Sequence, residues 1–114
     1  MQMLRSQGDE VNKNQREQLY KDASNFWGET AQKVAAIEEL SELMNEVAKN
    51  INGKNKRGTE GMIDELADCR IMIEQLEQMF QVESHVEIRI NQKLEKLRKI
   101  INGKIDHIHK GINQ

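Results

Sequence analysis

The stretch Met62-Ile63-Asp64-Glu65-Leu66-Ala67-Asp68-Cys69-Arg70-Ile71-Met72-Ile73-Glu74-Gln75-Leu76 decides the fold class of this chain. Apolar residues fall at Met62, Leu66, Cys69, Met72, Ile73 and Leu76 and continue to Met79 and Phe80. Steps of three and four place such residues on one face of a helix. The spacing predicts a helix from Met62 to somewhere between Gln81 and Ser84.

Working outward, a similar stripe of Val34, Ile37, Leu40, Met44, Val47 and Ile51 predicts a helix from Ala31 to about Ile51, with Gly28 as punctuation and Thr30 as a cap. Between the two stripes, the run from Asn52 to Gly61 carries three glycines and three basic residues. It reads as a turn joining an antiparallel pair. Upstream, Val11 to Phe26 predicts a modest first helix carrying Leu19, Ala23 and Phe26. Downstream, Val86, Ile90, Leu94, Leu97 and Ile101 predict a fourth, its stripe narrow enough for helix packing or a coiled-coil-like seam. Ile-Asn-Gly-Lys stands at both 51–54 and 101–104, and its Asn-Gly reads as a helix stop in each place.

Composition agrees with an all-α class. The 114 residues contain no proline and few aromatics, while 37% are apolar and 32% charged, enough for one domain. We expect a flexible N-terminus over residues 1–10, a helical domain over 11–102, and a tail or helix extension over 103–114. The net charge of −2 gives no overall field to recruit nucleic acid or a membrane surface. No apolar run approaches a spanning length, and Met1-Gln2-Met3-Leu4-Arg5 lacks a signal-peptide core, so a cytoplasmic protein is expected. A single cysteine excludes an internal disulfide.

The informative residues are carboxylates in the wrong place. Glu65 and Asp68 interrupt the apolar face of the third helix, whereas Asp64, Glu74 and Glu77 fall outside it and read as solvent charges. Burying carboxylates without compensation costs several kcal/mol each, so they should protonate or meet a cation. Glu38, Glu39 and Glu42 form an acidic strip within about a third of the second helix's circumference. That strip lies away from Leu40, Met44 and Val47, yet its side also carries Ala31 and Ala35, which would let another helix approach. An antiparallel pair sets the two acidic turns side by side. Oxygen ligands without His or Cys suit a hard cation, Mg²⁺ or Mn²⁺, and hence phosphate chemistry.

Glu38-Glu39-Leu40-Ser41-Glu42 followed after a spacer by Glu65-Leu66-Ala67-Asp68 resembles the Glu-Glu-x-x-Glu and Glu-x-x-Asp signature of the MazG-like all-α nucleoside triphosphate pyrophosphohydrolases, relatives of the dimeric dUTPases. Residues 25 to 80 carry the resemblance, closest to small phage-type members, with Lys93-Leu94-Glu95-Lys96-Leu97 a weaker continuation. The resemblance implies a MazG-like bundle of four or five helices that hydrolyses a nucleoside triphosphate to a monophosphate and pyrophosphate. It implies Glu39, Glu42, Glu65 and Asp68 as ligands of Mg²⁺, or of Mn²⁺, and Glu38 as the residue that orients or deprotonates the attacking water. It also implies a homo-dimer or homo-tetramer with sites completed by a neighbouring subunit, working in the host cytoplasm if phage-encoded.

Several residues are candidates for holding the substrate. Lys54, Lys56 and Arg57 in the turn, and Lys93 and Lys96 on the fourth helix, could meet phosphate oxygens, although basic residues are also ordinary helix-end surface. Trp27, with Phe26, could border a base, against the commoner role of core anchor. Gln32 matches a recurrent family position and would bond base or sugar, against the bland reading of an exposed Gln. Cys69 reads as a small buried residue, His107 and His109 as tail surface, and the absence of Glu-x-x-His argues against a di-iron bundle.

Overall fold

The computed structural model describes residues 10–112, and every element among them is a helix. α1 spans Lys13–Trp27, α2 Glu29–Ile51, α3 Gly58–Phe80 and α4 Glu83–Ile112. Apart from Glu10, the segment expected to be flexible lies outside the described residues, as do residues 113 and 114. None of the described helices is long and apolar enough to cross a membrane. Between Gln81 and Val82 the chain divides into two compact units.

Local chemistry sets the ends of the helices. Asn12 caps α1 in a reciprocal box: its side chain accepts from the Gln15 amide at 2.8 Å, while the Gln15 side chain accepts from the Asn12 amide at 2.9 Å. Gly28, at φ 93° and ψ 152°, is the single residue between α1 and α2. Its amide donates to the Ser24 carbonyl at 2.8 Å, and its conformation is one that a side chain would strain. Thr30 therefore lies inside α2 and caps nothing. The Asn52-Gly53 stop acts as expected, with the amides of Asn52 and Lys54 closing on the carbonyls of Ala48 and Lys49. The matching Asn102-Gly103 does not stop α4, which runs on as a helix extension to Ile112. Gly103 costs an exposed helix only about 1 kcal/mol, which its neighbours outweigh.

In the first unit α2 and α3 run antiparallel, and their contacts form a ladder. Gln32 bonds Gln75, Glu39 lies beside Asp68 and Cys69, Glu42 beside Glu65, and Glu46 against Gly61. As one residue number rises, its partner's falls. The buried residues are Ala36, Cys69 and Met72 with Gln32, Gln75 and Gly61, a narrow core of small and polar groups. α1 joins through Glu74, which accepts both a two-pronged bond from Arg16 at 3.0 Å and the Tyr20 hydroxyl at 2.7 Å. The Gln78 side-chain amide also donates to the Glu17 carbonyl. Glu74 thus ties two helices together and is not the solvent charge its place on the periodic pattern suggested.

The ladder reverses the facing of α2. Its face toward α3 carries Gln32, Ala36, Glu39, Leu43 and Glu46, while the apolar stripe from Val34 to Ile51 is exposed, reaching 72% at Met44 and 79% at Ile51. Small residues explain this geometry, because Ala36 and Gly61 allow close approach where larger side chains would hold the helices apart. A Cβ on Gly61 would lie 2.9 Å from a Glu46 oxygen.

Candidate metal centre

α2 supplies Glu39 and Glu42 and α3 supplies Glu65, each by the antiparallel register. One carboxylate oxygen from each lies within 4.8 Å of the others. Asp68 is within hydrogen-bonding reach of Glu39, and Glu42 of Glu65. The four acids expected as ligands are therefore neighbours, with Glu39, Glu42 and Glu65 in the close group, Asp68 beside Glu39, and both Glu42 and Asp68 exposed. Glu38 is exposed and stands outside this group.

The electrostatics are those of crowded anions. Burial raises the Glu39 carboxyl above its ordinary value, helped by the charges of Glu42 and Asp68. Burial likewise raises Glu65, followed by the charges of Glu42 and Asp68 and the hydrogen bond with Glu42. Glu39 and Glu65 each turn one oxygen into the interior with no hydrogen-bond partner there. Acidic clusters are common on helices without any cation, and here Glu39 and Glu65 each add one buried oxygen with no partner to a cluster whose third member, Glu42, is exposed. The donor set fits a hard divalent ion: oxygen only, several carboxylates, and unmet acceptor capacity.

A fifth acid belongs to the same face. Glu46, one turn beyond Glu42, buries an oxygen without a partner against Gly61, and its charge also acts on Glu65. Sequence reasoning passed over it. Its signal was its spacing, which continues the Glu39 and Glu42 series by one more helical step, opposite a glycine across the turn.

The other candidates divide. Arg57 pairs with Asp64, and its guanidinium also feels Glu46 and Glu65, so it is the cation facing the acidic end of the unit. Lys54 and Lys56 are exposed on the turn. Trp27 and Phe26 form an edge-to-face pair with centroids 4.9 Å apart, and both are largely exposed, which rules out core anchoring. Gln32 is buried and accepts from the Gln75 amide at 2.7 Å, so it is no ordinary surface Gln. Lys93 and Lys96 are exposed on α4, in the second unit. Cys69 is buried, and its thiol donates to the Glu39 carbonyl at 3.2 Å.

No protein-family model, curated protein or solved structure matches this chain.

Proposed function

We propose that the chain is a Mg²⁺-dependent nucleoside triphosphate pyrophosphohydrolase of MazG-like type, converting a ribo- or deoxyribonucleoside triphosphate to the monophosphate and pyrophosphate. The observation that carries this reading is the convergence of Glu39, Glu42 and Glu65 from two antiparallel helices, with two of their oxygens orphaned inside. With Asp68 they would hold the ion. A divalent cation there supplies neutralisation of the triphosphate and of the charge that builds on the attacking and leaving oxygens.

The chain's own residues would do the rest. Glu38, exposed beside the cluster in sequence, would orient the attacking water and take up its proton. Arg57, at the same end of the helix pair, would answer phosphate charge after releasing Asp64. The exposed pair Trp27 and Phe26 offers ring faces to a base. The exposed apolar stripe of α2 supports assembly of this unit as a homo-dimer or homo-tetramer, because so many large apolar side chains in water are unusual for a lone monomer. That same stripe favours a second reading, a helical interaction module whose acids are surface charges.

One assay separates the two readings. A panel of ribo- and deoxyribonucleoside triphosphates, including dUTP, is incubated with Mg²⁺ and scored for pyrophosphate release. Turnover that Glu65→Gln abolishes in a still-assembled protein is the expected result. No turnover of any substrate, with metal binding shown, would overturn the enzyme reading and leave a non-catalytic interaction protein or a nucleotide-binding regulator of the same fold.

A further inference from the structure

The second unit carries a periodicity of its own. Leu97 and Ile108 follow Val86 at intervals of eleven residues, Ile101 and Ile112 follow Ile90, and Ile105 follows Leu94. The interval recurs in polar positions, with asparagine at 91, 102 and 113, lysine at 93 and 104, and an acid at 95 and 106. Eleven residues make three turns at about 3.67 residues each, close to the 3.6 of an undistorted helix, so a stripe with this repeat stays on one face with only slight right-handed winding. A seven-residue repeat starting from Ile90 would instead bring Lys104 and Gly111 into the seam, leaving Ile105 and Ile112 out.

α4 is helical from Val86 to Ile112 across the apolar stripe, and none of its described side chains is buried. From Ile90 to Ile108 the six stripe residues are between 42% and 58% exposed. From Val86 to Ile112 the stripe is about 40 Å long. Two such faces laid together would remove on the order of 1,000 Å² from water, the lower range for a specific interface.

We infer that two copies of this chain pair their α4 helices in parallel and in register along this eleven-residue repeat, in a nearly straight coil. A repeated stripe is complementary to itself, since in register each apolar residue meets its own counterpart. The charged edges choose the direction. Lys93 and Lys104 border one side of the stripe, and Glu87, Arg98 and His109 the other. An antiparallel pair would set lysine edge against lysine edge. The parallel pair sets the lysine edge against the mixed one, which carries Glu87 as well as His109 and an Arg98 already paired with Glu95 at 3.2 Å in its own helix. The inference does not depend on the metal centre or on any hydrolytic activity.

The test uses the full chain with Cys69→Ala and one new cysteine at a time: Ile101→Cys, Ile105→Cys, Lys104→Cys or Lys99→Cys. Each is oxidised under non-denaturing conditions and read as disulfide-linked dimer, with circular dichroism recording helix content. Linked dimer accumulating at 101 and 105, with little at 104 and 99, is the expected result. Linkage at 104 exceeding that at 105, equal linkage at 99, or none at 101 and 105 in helical protein overturns the inference. So does a monomer mass by light scattering for the unsubstituted chain at the same concentration.

Discussion

The buried amide pair at one end of the α2–α3 ladder allows structural and substrate-binding roles to be separated by measurement. Gln32 and Gln75 are 8% and 4% exposed and are bonded at 2.7 Å, so each is withdrawn from water and meets the other instead. Gln75→Leu leaves the Gln32 amide buried and unmatched, which costs about 1–3 kcal/mol. For a unit of this size, 2 kcal/mol lowers Tm by about 8–16 °C. Gln32→Leu should cost about the same for the same reason. Replacing both removes both desolvated groups and adds apolar contact, so the double variant should lie within about 1 kcal/mol of the parent, a coupling of about 3–5 kcal/mol where each single change costs about 2 kcal/mol. The assay is a double-mutant cycle by urea denaturation followed by circular dichroism. Additive destabilisation would refute the reasoning. So would a Gln32→Leu protein of unchanged stability whose only defect is a raised KM, because Gln32 would then face substrate instead of Gln75.

Further outcomes follow from the carboxylates and the single tyrosine. Glu65→Gln relieves crowding among Glu42, Asp68 and Glu46, so the metal-free protein should gain thermal stability while pyrophosphate release falls by about 100-fold or more; a loss of both would make Glu65 a structural residue. Because Glu39 and Glu65 hold protons more tightly folded than unfolded, the folded state binds more protons above the ordinary carboxyl value of 4.5. Metal-free stability should therefore fall as pH rises through that value and the raised folded one, and Mg²⁺ or Mn²⁺ should raise Tm more at neutral than at acid pH. A pH-independent metal effect would place the ion elsewhere. Burial, then the bond and charge of Glu74, push Tyr20 from 10 up to about 12, so ultraviolet titration should show a late phenolate in folded protein and an ordinary one in urea. Stability held by the neutral phenol is lost as pH climbs above 10, and Glu74→Gln should move the folded midpoint back toward that value.

The sequence reads well where a residue's type conflicts with its surroundings. Glu65 stood out because charge has no use in an apolar stripe, and it is half-buried beside Glu42; Asp68, expected on the same buried face, is exposed although it lies beside Glu39. Helix number and the Asn52-Gly53 turn were legible from period and punctuation. The facing of α2 was not, because its strongest apolar periodicity runs through Val34, Leu40 and Met44, which are exposed, while the packed face is made of Gln32, Ala36 and Glu39. Hydrophobicity marks what must be covered by something, and the covering partner need not lie in the same chain. Small residues, Ala36 and Gly61, line the faces that met. Glu74 was misread for a related reason: its partners, Arg16 and Tyr20, lie more than fifty residues away, where no local pattern reaches.

The thiol of Cys69 has a practical consequence. It is the only sulfhydryl in the chain, it sits under the acidic face, and its ionisation is held back first by burial and then by Glu39, Glu65, Asp68 and Glu42. A cation among those carboxylates would cancel the second of these brakes and tighten the helix pair that provides the first. Alkylation of the native protein would then act as an unlabelled gauge of the site, with faster chemistry at the sulfur opposed by rarer opening. The two effects can be told apart by backbone hydrogen exchange around Cys69, which reports opening without thiolate chemistry. The protein thus carries beneath its candidate metal centre a chemical probe that nobody has to install.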